Sequence, residues 1–187
     1  MTEFVRLVVV FLVAVNPASV ALAMARLGST GGARTGWRTP TVAAAAALAV
    51  YAVAAGFAQP LLDFLEVAPE SFRLAAGVVL AGAGVSAIWL GAPPHGDQDG
   101  GGQGAFFPVA IGLMAGPAGL TAAVSYGADE GFGSTFGAAA IAVVITGCLL
   151  AARPARGRPA LDPIARVTGA LLVAIAAGLA TSGIRAI

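Results

Sequence analysis

The sequence predicts an all-α, polytopic membrane protein with six transmembrane helices, on the evidence of its composition and its hydropathy pattern. Hydrophobic residues make up 58% of the 187 residues, and charged residues make up only 10%. A soluble domain carries about 25% charged residues, so this chain has too few to cover a water-facing surface. Its apolar residues fall in six runs, each near the length of about 20 residues that a helix needs to cross a bilayer. The chain is therefore expected to lie in a lipid bilayer.

The six predicted crossings are separated by charged and turn-forming residues. We place them near 4–26, 41–62, 72–91, 105–127, 132–152 and 163–185. The link between helices 4 and 5 is the short stretch ADEGFG. The first run is also similar to a secretory signal peptide, because Arg6 precedes an apolar centre that small residues follow. We favour a transmembrane helix, because the run has a counterpart later in the chain.

The positions of the arginines predict the orientation in the membrane. The chain has no Lys, and its arginines cluster around the loop after helix 1 and the loop after helix 5. Both loops lie on the same side of a six-helix bundle, so the positive-inside rule makes that side cytoplasmic. We predict a multi-pass protein of the cell membrane with both termini extracytoplasmic. Arg73 is the exception, since it lies near an outer loop.

The two halves of the chain carry a weak internal repeat. FLVAVNPASVALA aligns with IGLMAGPAGLTAA, which puts Pro17 over Pro117 and Asn16 over Gly116. Three crossings in each half place the second half upside down in the membrane, which is the inverted-topology repeat common in secondary transporters. The predicted units form one membrane domain and are a first three-helix repeat at 1–91, a flexible cytoplasmic linker at 92–104 and a second repeat at 105–187.

Proline predicts a break in helix 1 and another in helix 4. Pro17 and Pro117 have no N–H to donate to the carbonyl four residues earlier, and an unpaired backbone group is costly in lipid unless another group satisfies it. Asn16 and Gly116 both suit the N-cap position that precedes a proline in the first helical position. Each helix is therefore predicted to consist of two half-helices. A plain proline kink that serves packing alone is the alternative interpretation.

The two new helix starts predict a binding site at the membrane midplane. Helix N-termini carry free N–H groups and a partial positive charge, which suit an anionic group such as a carboxylate. The carbonyls that are freed before each break suit an ammonium group or a cation. A hydroxyl side chain follows each break within one turn. The predicted substrate-binding residues are Asn16, Pro17, Ser19, Gly116, Pro117 and Thr121.

The residue inventory argues against other chemistry. With one Cys and one His, the chain lacks a disulfide framework and a metal-ligand cluster. We therefore predict no cofactor, no metal site and no enzyme activity, and the net charge of +1 gives no indication of nucleic-acid binding. No Asp or Glu falls in the central part of a predicted span, so a carboxylate proton relay is not visible. Coupling to Na⁺ held on backbone carbonyls, coupling to no ion, and a homo-oligomeric state all stay open.

Arg73 and Arg166 occupy matching places at the starts of helices 3 and 6. One interpretation is that they cap or gate the pathway, pairing with acids such as Asp63 or Asp162. The other is that they lie at the membrane interface and set the topology.

Small and aromatic residues are assigned structural roles. Tyr51 and Tyr126 are predicted to anchor the chain at the membrane interface. Close helix packing is predicted at Gly77, Gly82, Gly84, Gly169 and Gly178.

Four short motifs form a pattern along the chain. They are Asn16-Pro17, the stretch FRLAAG that opens helix 3, FPVAI followed by AGP in helix 4, and RVTG at the start of helix 6. In these motifs the chain resembles the MarC family of six-helix bacterial and archaeal membrane proteins. The resemblance implies a place among LysE-like exporters, which are associated with small neutral amino acids such as alanine and glycine. The chain departs from the family pattern at Leu22, Gly112 and Gly178, where proline, proline and glutamine are usual.

The sequence therefore favours a secondary transporter of small neutral amino acids or similar small metabolites that works by alternating access. The alternative is a non-transporting membrane subunit or scaffold that packs through Gly/Ala-rich helix faces.

Overall fold

The described part of the chain is helical apart from short turns, and no strand occurs in it. A computed structural model describes residues 2–22, 38–90, 112, 114–151 and 161–186. Its main helices are α1 (Thr2–Val15), α2 (Arg38–Gly56), α3 (Ala58–Phe64), α4 (Pro69–Leu90), α5 (Pro117–Ala151) and α6 (Leu161–Ala186). A short helical segment at 17–22 follows α1. The predicted all-α class is confirmed for these residues, while the predicted linker at 92–104 lies outside them.

Several helices are long and apolar enough to cross a membrane. Within the described residues there are four such stretches, Thr2–Leu22, Pro69–Trp89, Pro117–Leu150 and Pro163–Ala186. The pair Thr41–Gly56 and Ala58–Phe64 makes a fifth if it is counted as one span. These stretches confirm a polytopic membrane protein, whereas six separate crossings in two inverted repeats stay a prediction.

The second predicted crossing is bent, which the sequence analysis does not anticipate. The axes of α2 and α3 meet at 51°. Pro60 has no N–H to donate to the carbonyl of Gly56, four residues earlier, and this missing hydrogen bond accounts for the bend. The signal that predicts breaks in helices 1 and 4 is therefore present in helix 2 as well.

The predicted ADEGFG link between helices 4 and 5 is reduced to one non-helical residue. The helix continues to Gly131, whose φ of 79° and ψ of 164° interrupt α5. Glycine adopts such angles freely because it has no Cβ. A first arm at 117–130 and a second arm at 132–151 flank this residue.

The chain reverses direction at Gly131. Both arms of α5 pack against the unit formed by α2 and α3. Later residues of this unit contact later residues of the first arm but earlier residues of the second arm. The two arms therefore run in opposite directions. The pairs of neighbouring residues that show this are Tyr51 with Gly119, Ala55 with Gly127, Gly56 with Phe132, and Ala44 with Gly147. The arms therefore occupy the places predicted for the end of helix 4 and for helix 5.

Helices α4 and α6 run antiparallel and form the most extensive helix–helix interface of the described residues. Their backbones touch where glycines face each other. A Cβ on Gly84 would lie 2.7 Å from the carbonyl oxygen of Gly169, and a Cβ on Gly169 would lie 2.8 Å from the carbonyl oxygen of Gly84. A Cβ on Gly77 would likewise lie 2.9 Å from the carbonyl oxygen of Ala176. The predicted packing role is confirmed for these three glycines.

The predicted packing role is wrong for Gly82 and Gly178. Within the described part of the chain, neither has a heavy atom within 4 Å of the position that a Cβ would take. Gly82 and Gly84 are two residues apart, which separates them by about 200° around a helix. Only one of the two can face α6, and the structure shows that it is Gly84.

One end of the bundle collects the acidic residues, and we call it the acidic end. The start of α1 reaches it, because the ring of Phe4 lies against Gly137 near the reversal of α5. The end of α6 reaches it too, because Gly183 packs on the backbone of Glu70. Its acidic residues are Glu3, Asp63, Glu66, Glu70, Asp129 and Glu130. This grouping agrees with the predicted placement of the two ends of the chain on the side of the acidic links, and which side is cytoplasmic stays a prediction.

We expect Gly84→Ala to destabilise the protein and Gly82→Ala to leave its stability nearly unchanged. The new methyl group at Gly84 would push α4 away from the backbone of α6, and overpacking of this kind costs about 1–3 kcal/mol. The methyl group at Gly82 would meet open space. Thermal unfolding in detergent measures the difference. Equal losses in the two variants would contradict the assigned helix faces.

Candidate functional site

Asn16 interrupts the first membrane-spanning helix. Its φ is 48°, in the left-handed region that Asn tolerates better than most residues. Its N–H donates to the carbonyl of Leu12 at 3.1 Å, and its own carbonyl accepts from the N–H of Val20 at 3.1 Å. Its side-chain Oδ1 accepts from the N–H of Ser19 at 3.2 Å, as in a helix N-cap. Asn16 thus closes α1 and begins the segment at 17–22.

Gly116 occupies the corresponding place before α5, and we call this place the second interruption; that it divides one longer helix 4 stays a prediction. It lies outside the helix, which begins at Pro117. The N–H of Leu120 donates to the carbonyl of Gly116 at 3.0 Å. Glycine has no side chain with which to cap the helix, so the N–H of Ala118, in the first turn, has no acceptor within the helix.

Tyr51 supports the chain next to this second interruption. Its side chain is fully buried, and its ring packs edge-on against Phe11, with centroids 5.8 Å apart. Its hydroxyl donates to the carbonyl of Met114 at 2.8 Å. In an uninterrupted helix that carbonyl would accept from the N–H of Ala118. Tyr51 therefore replaces a backbone hydrogen bond that the interruption removes.

The predicted interface role of Tyr51 is wrong for this reason. The available signal was its place in the middle of the predicted crossing at 41–62, far from either interface. A tyrosine at that depth needs a hydrogen-bond partner for its hydroxyl, and a carbonyl freed by a proline break is such a partner. Tyr126, the other predicted anchor, is also buried.

The two interruptions line one cavity of about 370 Å³. The structure brings four of the six predicted binding residues to its wall, namely Asn16, Ser19, Gly116 and Pro117. Pro17 and Thr121 do not line it. The hydroxyl of Thr121 instead donates to the carbonyl of Pro117, one turn earlier in the same helix. Serine and threonine hydroxyls in helices commonly satisfy themselves in this way.

The side-chain NH₂ of Asn16 and the hydroxyl of Ser19 have no hydrogen-bond partner among the described residues. Ser19 is only 5% exposed, and its Oγ has no hydrogen-bond partner among the described residues. Within the same residues, the side-chain NH₂ of Asn16 makes no hydrogen bond. A buried hydroxyl without a partner costs about 1–3 kcal/mol. These groups are therefore available to a polar ligand in the cavity.

Helix α4 forms much of the remaining wall, which the sequence analysis does not predict. Val79, Gly82 and Ser86 lie along one stripe of α4 and line the cavity. The hydroxyl of Ser86 donates to the carbonyl of Ala83 at 2.8 Å, and its lone pairs stay free to accept. No sequence signal identifies this stripe, because α4 is apolar around most of its circumference. The contact with α6 decides which side of α4 faces the cavity.

None of the described residues that line the cavity has an ionisable side chain. In addition, no group of three or more His, Cys, Asp or Glu within the described ranges could hold a metal ion. The wall is thus uncharged, with its polarity supplied by hydroxyl, amide and backbone groups.

Arg73 forms an ion pair with Asp129 at the acidic end. Its Nε lies 2.6 Å from Oδ2 of Asp129, and its Nη2 lies 2.5 Å from Oδ1. The two side chains are 26% and 14% exposed. The partner suggested by the sequence, Asp63, is exposed on α3. That prediction is wrong, because the reversal at Gly131 brings the end of the first arm of α5 next to the start of α4.

The cavity and the ion pair lie toward opposite ends of α4. Arg73 is nine residues before Gly82, which corresponds to about 13.5 Å along a helix. Ser86 continues the cavity wall still farther from Arg73. Arg166 has an exposed side chain near the start of α6, at the end of the bundle away from Arg73, because α6 is antiparallel to α4. The side chain of Asp162, its suggested partner, lies outside the description.

Comparison with known proteins gives one match, which covers the whole chain. A family model described as MarC family integral membrane protein matches residues 1–187. No curated protein and no solved structure matches.

We expect Tyr51→Phe to lower the thermal stability of the protein. The ring and its contact with Phe11 are kept, but the buried carbonyl of Met114 loses its donor, at a cost of about 1–3 kcal/mol. Thermal unfolding in detergent measures the effect. Tyr126→Phe is the matched control, since Tyr126 is buried and its hydroxyl makes no hydrogen bond within the described residues. A loss in the control as large as that in Tyr51→Phe would contradict the role assigned to Tyr51.

Proposed function

We propose a transport function for this chain, which belongs to the MarC family of integral membrane proteins. The chain is proposed to carry a small neutral amino acid, or a similar small metabolite, across the membrane as a secondary transporter that works by alternating access. One observation carries the proposal: Asn16 and Gly116 line one cavity, and polar groups in its wall have no partner among the described residues.

The uncharged wall favours a ligand without net charge. An ion of one sign in this cavity would have no charged partner, and an unpaired charge inside a membrane protein is expensive. A zwitterion carries both charges and can find a partner for each among the backbone groups. The volume of about 370 Å³ lies near the lower end of the range of about 300–1,000 Å³ for small-molecule sites. Both features favour a small, neutral solute.

The groups around the interruptions suit the two ends of an amino acid. A carboxylate would accept from the N–H of Ala118 at the positive end of α5, together with the hydroxyl of Ser19 and the NH₂ of Asn16. An ammonium group would donate to carbonyls that precede the first interruption, where Ala14 and Val15 line the cavity. The interruptions would in this way act as the ends of half-helices that face a shared site.

The Arg73–Asp129 pair is proposed to close the acidic end when the cavity is open toward the other end. With the orientation predicted from the arginines, the pair lies on the extracytoplasmic side and the cavity lies toward the cytoplasm. Breaking the pair would then be part of the change that exposes the site to the opposite side. Arg166 is proposed to act in the same way at the cytoplasmic end.

The alternative of a non-transporting scaffold receives less support. It requires a small-residue face that is free to bind a partner protein. Gly77, Gly84 and Gly169 already pack within the interface of α4 and α6. A scaffold also provides no ligand to pair with the hydroxyl of Ser19, which has no partner among the described residues.

We expect the purified protein in proteoliposomes to exchange labelled alanine, glycine or serine in a counterflow assay. Ser19→Ala is expected to lower the rate about tenfold, because a hydrogen bond to a charged group contributes about 1.5–3 kcal/mol. Thr181→Ala, which removes an exposed hydroxyl at the acidic end, is the control and should leave the rate unchanged. The assay is run with and without a Na⁺ gradient to test coupling. Well-folded protein without flux of any of the three amino acids would contradict the proposal.

We expect Asp129→Asn to weaken binding from the side that the cavity faces. A partly exposed ion pair is worth up to about 1 kcal/mol, so losing it should raise the apparent KM for counterflow by up to about fivefold. The reversed pair, Arg73→Asp combined with Asp129→Arg, should recover part of the loss. Glu130→Gln, which changes an exposed neighbour of Asp129, is the control. An unchanged KM in Asp129→Asn would exclude a gating role for the pair.

A further inference from the structure

Two glycines leave gaps in the wall of the cavity. Gly82 on α4 and Gly112 ahead of the second interruption both line it. Neither has a heavy atom of the described residues within 4 Å of the place that a Cβ would take. The gaps are therefore part of the space that a ligand can fill.

The gap at Gly82 has a defined position on α4. Val79 and Ser86 lie three residues before and four residues after Gly82, so the three residues share one face of the helix. A side chain on each side and none in the middle make a notch, which we call the Gly82 notch. Its floor is the backbone of α4, and the hydroxyl of Ser86 stands at its edge with lone pairs free to accept a hydrogen bond.

An unpaired polar group in the same cavity separates this notch from a simple packing defect. Ser19 is 5% exposed, and its Oγ has no partner among the described residues. An apolar void without such groups would only lose dispersion contacts. A void that also holds an unsatisfied buried hydroxyl has both the space and the polar group that a ligand needs.

We propose that Gly82 and Gly112 set the upper limit on the size of the ligand's side chain, with the Gly82 notch as the place that receives it. This inference rests on the proposed function and adds the residues that limit the size of its substrate. The charged ends of the amino acid lie at the interruptions, so its side chain points along the remaining wall, which α4 and Gly112 provide. A short side chain therefore fits the notch, and a short hydroxylated one reaches the hydroxyl of Ser86.

The test is competition in the counterflow assay with labelled glycine. Unlabelled glycine, alanine, serine and valine are compared as competitors against the wild-type protein and against Gly82→Ala, Gly82→Val and Gly112→Ala. Unlabelled glycine should compete equally well in all of them. Alanine and serine should compete about tenfold more weakly in Gly82→Val than in the wild type, in line with the penalty for one misplaced methylene in a pocket. In Gly82→Ala and Gly112→Ala the competition should weaken by less than in Gly82→Val. The loss should again grow with the size of the competitor's side chain.

Gly133→Ala is the matched control. Gly133 also has open space around a Cβ, but it lies at the reversal of α5 and does not line the cavity. The thermal stability of each variant is measured first, and Gly82→Ala provides the test if Gly82→Val does not fold. Unchanged competition by alanine and serine in the Gly82 variants, or equal weakening of all competitors, would overturn the size limit. Absence of glycine counterflow in the wild-type protein would instead overturn the proposed function, so the two failures are distinguishable.

Discussion

Every backbone N–H and C=O inside a bilayer has to find a partner within the protein, and this requirement governs the whole structure. The chain leaves the helical conformation at Asn16 and again at Gly116, so other groups must pair with the backbone beside these residues. The side chain of Asn16 accepts from the N–H of Ser19. At the second interruption Tyr51 donates its hydroxyl to the carbonyl of Met114. Of the three buried hydroxyls without a partner among the described residues, that of Ser19 belongs to a residue that lines the cavity.

The same requirement links the packing of the helices to the shape of the cavity. Helix α4 turns one glycine, Gly84, onto the backbone of α6 and another, Gly82, into open space. Close contact on one face fixes the rotation of the helix, and that rotation decides what its other face presents to a ligand. The separation of the cavity from the Arg73–Asp129 pair follows from the same placement of α4, since the two sites lie toward its opposite ends.

Local signals were enough to predict a large part of this molecule. Long apolar runs and scarce charges predict helices in a membrane, because a bilayer accepts little else. Prolines in the apolar runs predict where backbone hydrogen bonds are lost, and these positions led to four of the residues that line the cavity. The motifs around them carried the resemblance to the MarC family, whose model matches the whole chain. Pro60 carries the same signal, and the bend beside it is just as local.

Contacts between distant segments were beyond such signals. The partner of Arg73 is Asp129, 56 residues away, and the partner of Tyr51 is Met114, 63 residues away. Five glycines of similar surroundings in the sequence divide into those that pack and those that do not. The physical reason is shared by all three cases. A membrane helix that is apolar on every side has no polar face to mark its orientation, so only its contacts with neighbouring helices decide which residues pack and which line the cavity.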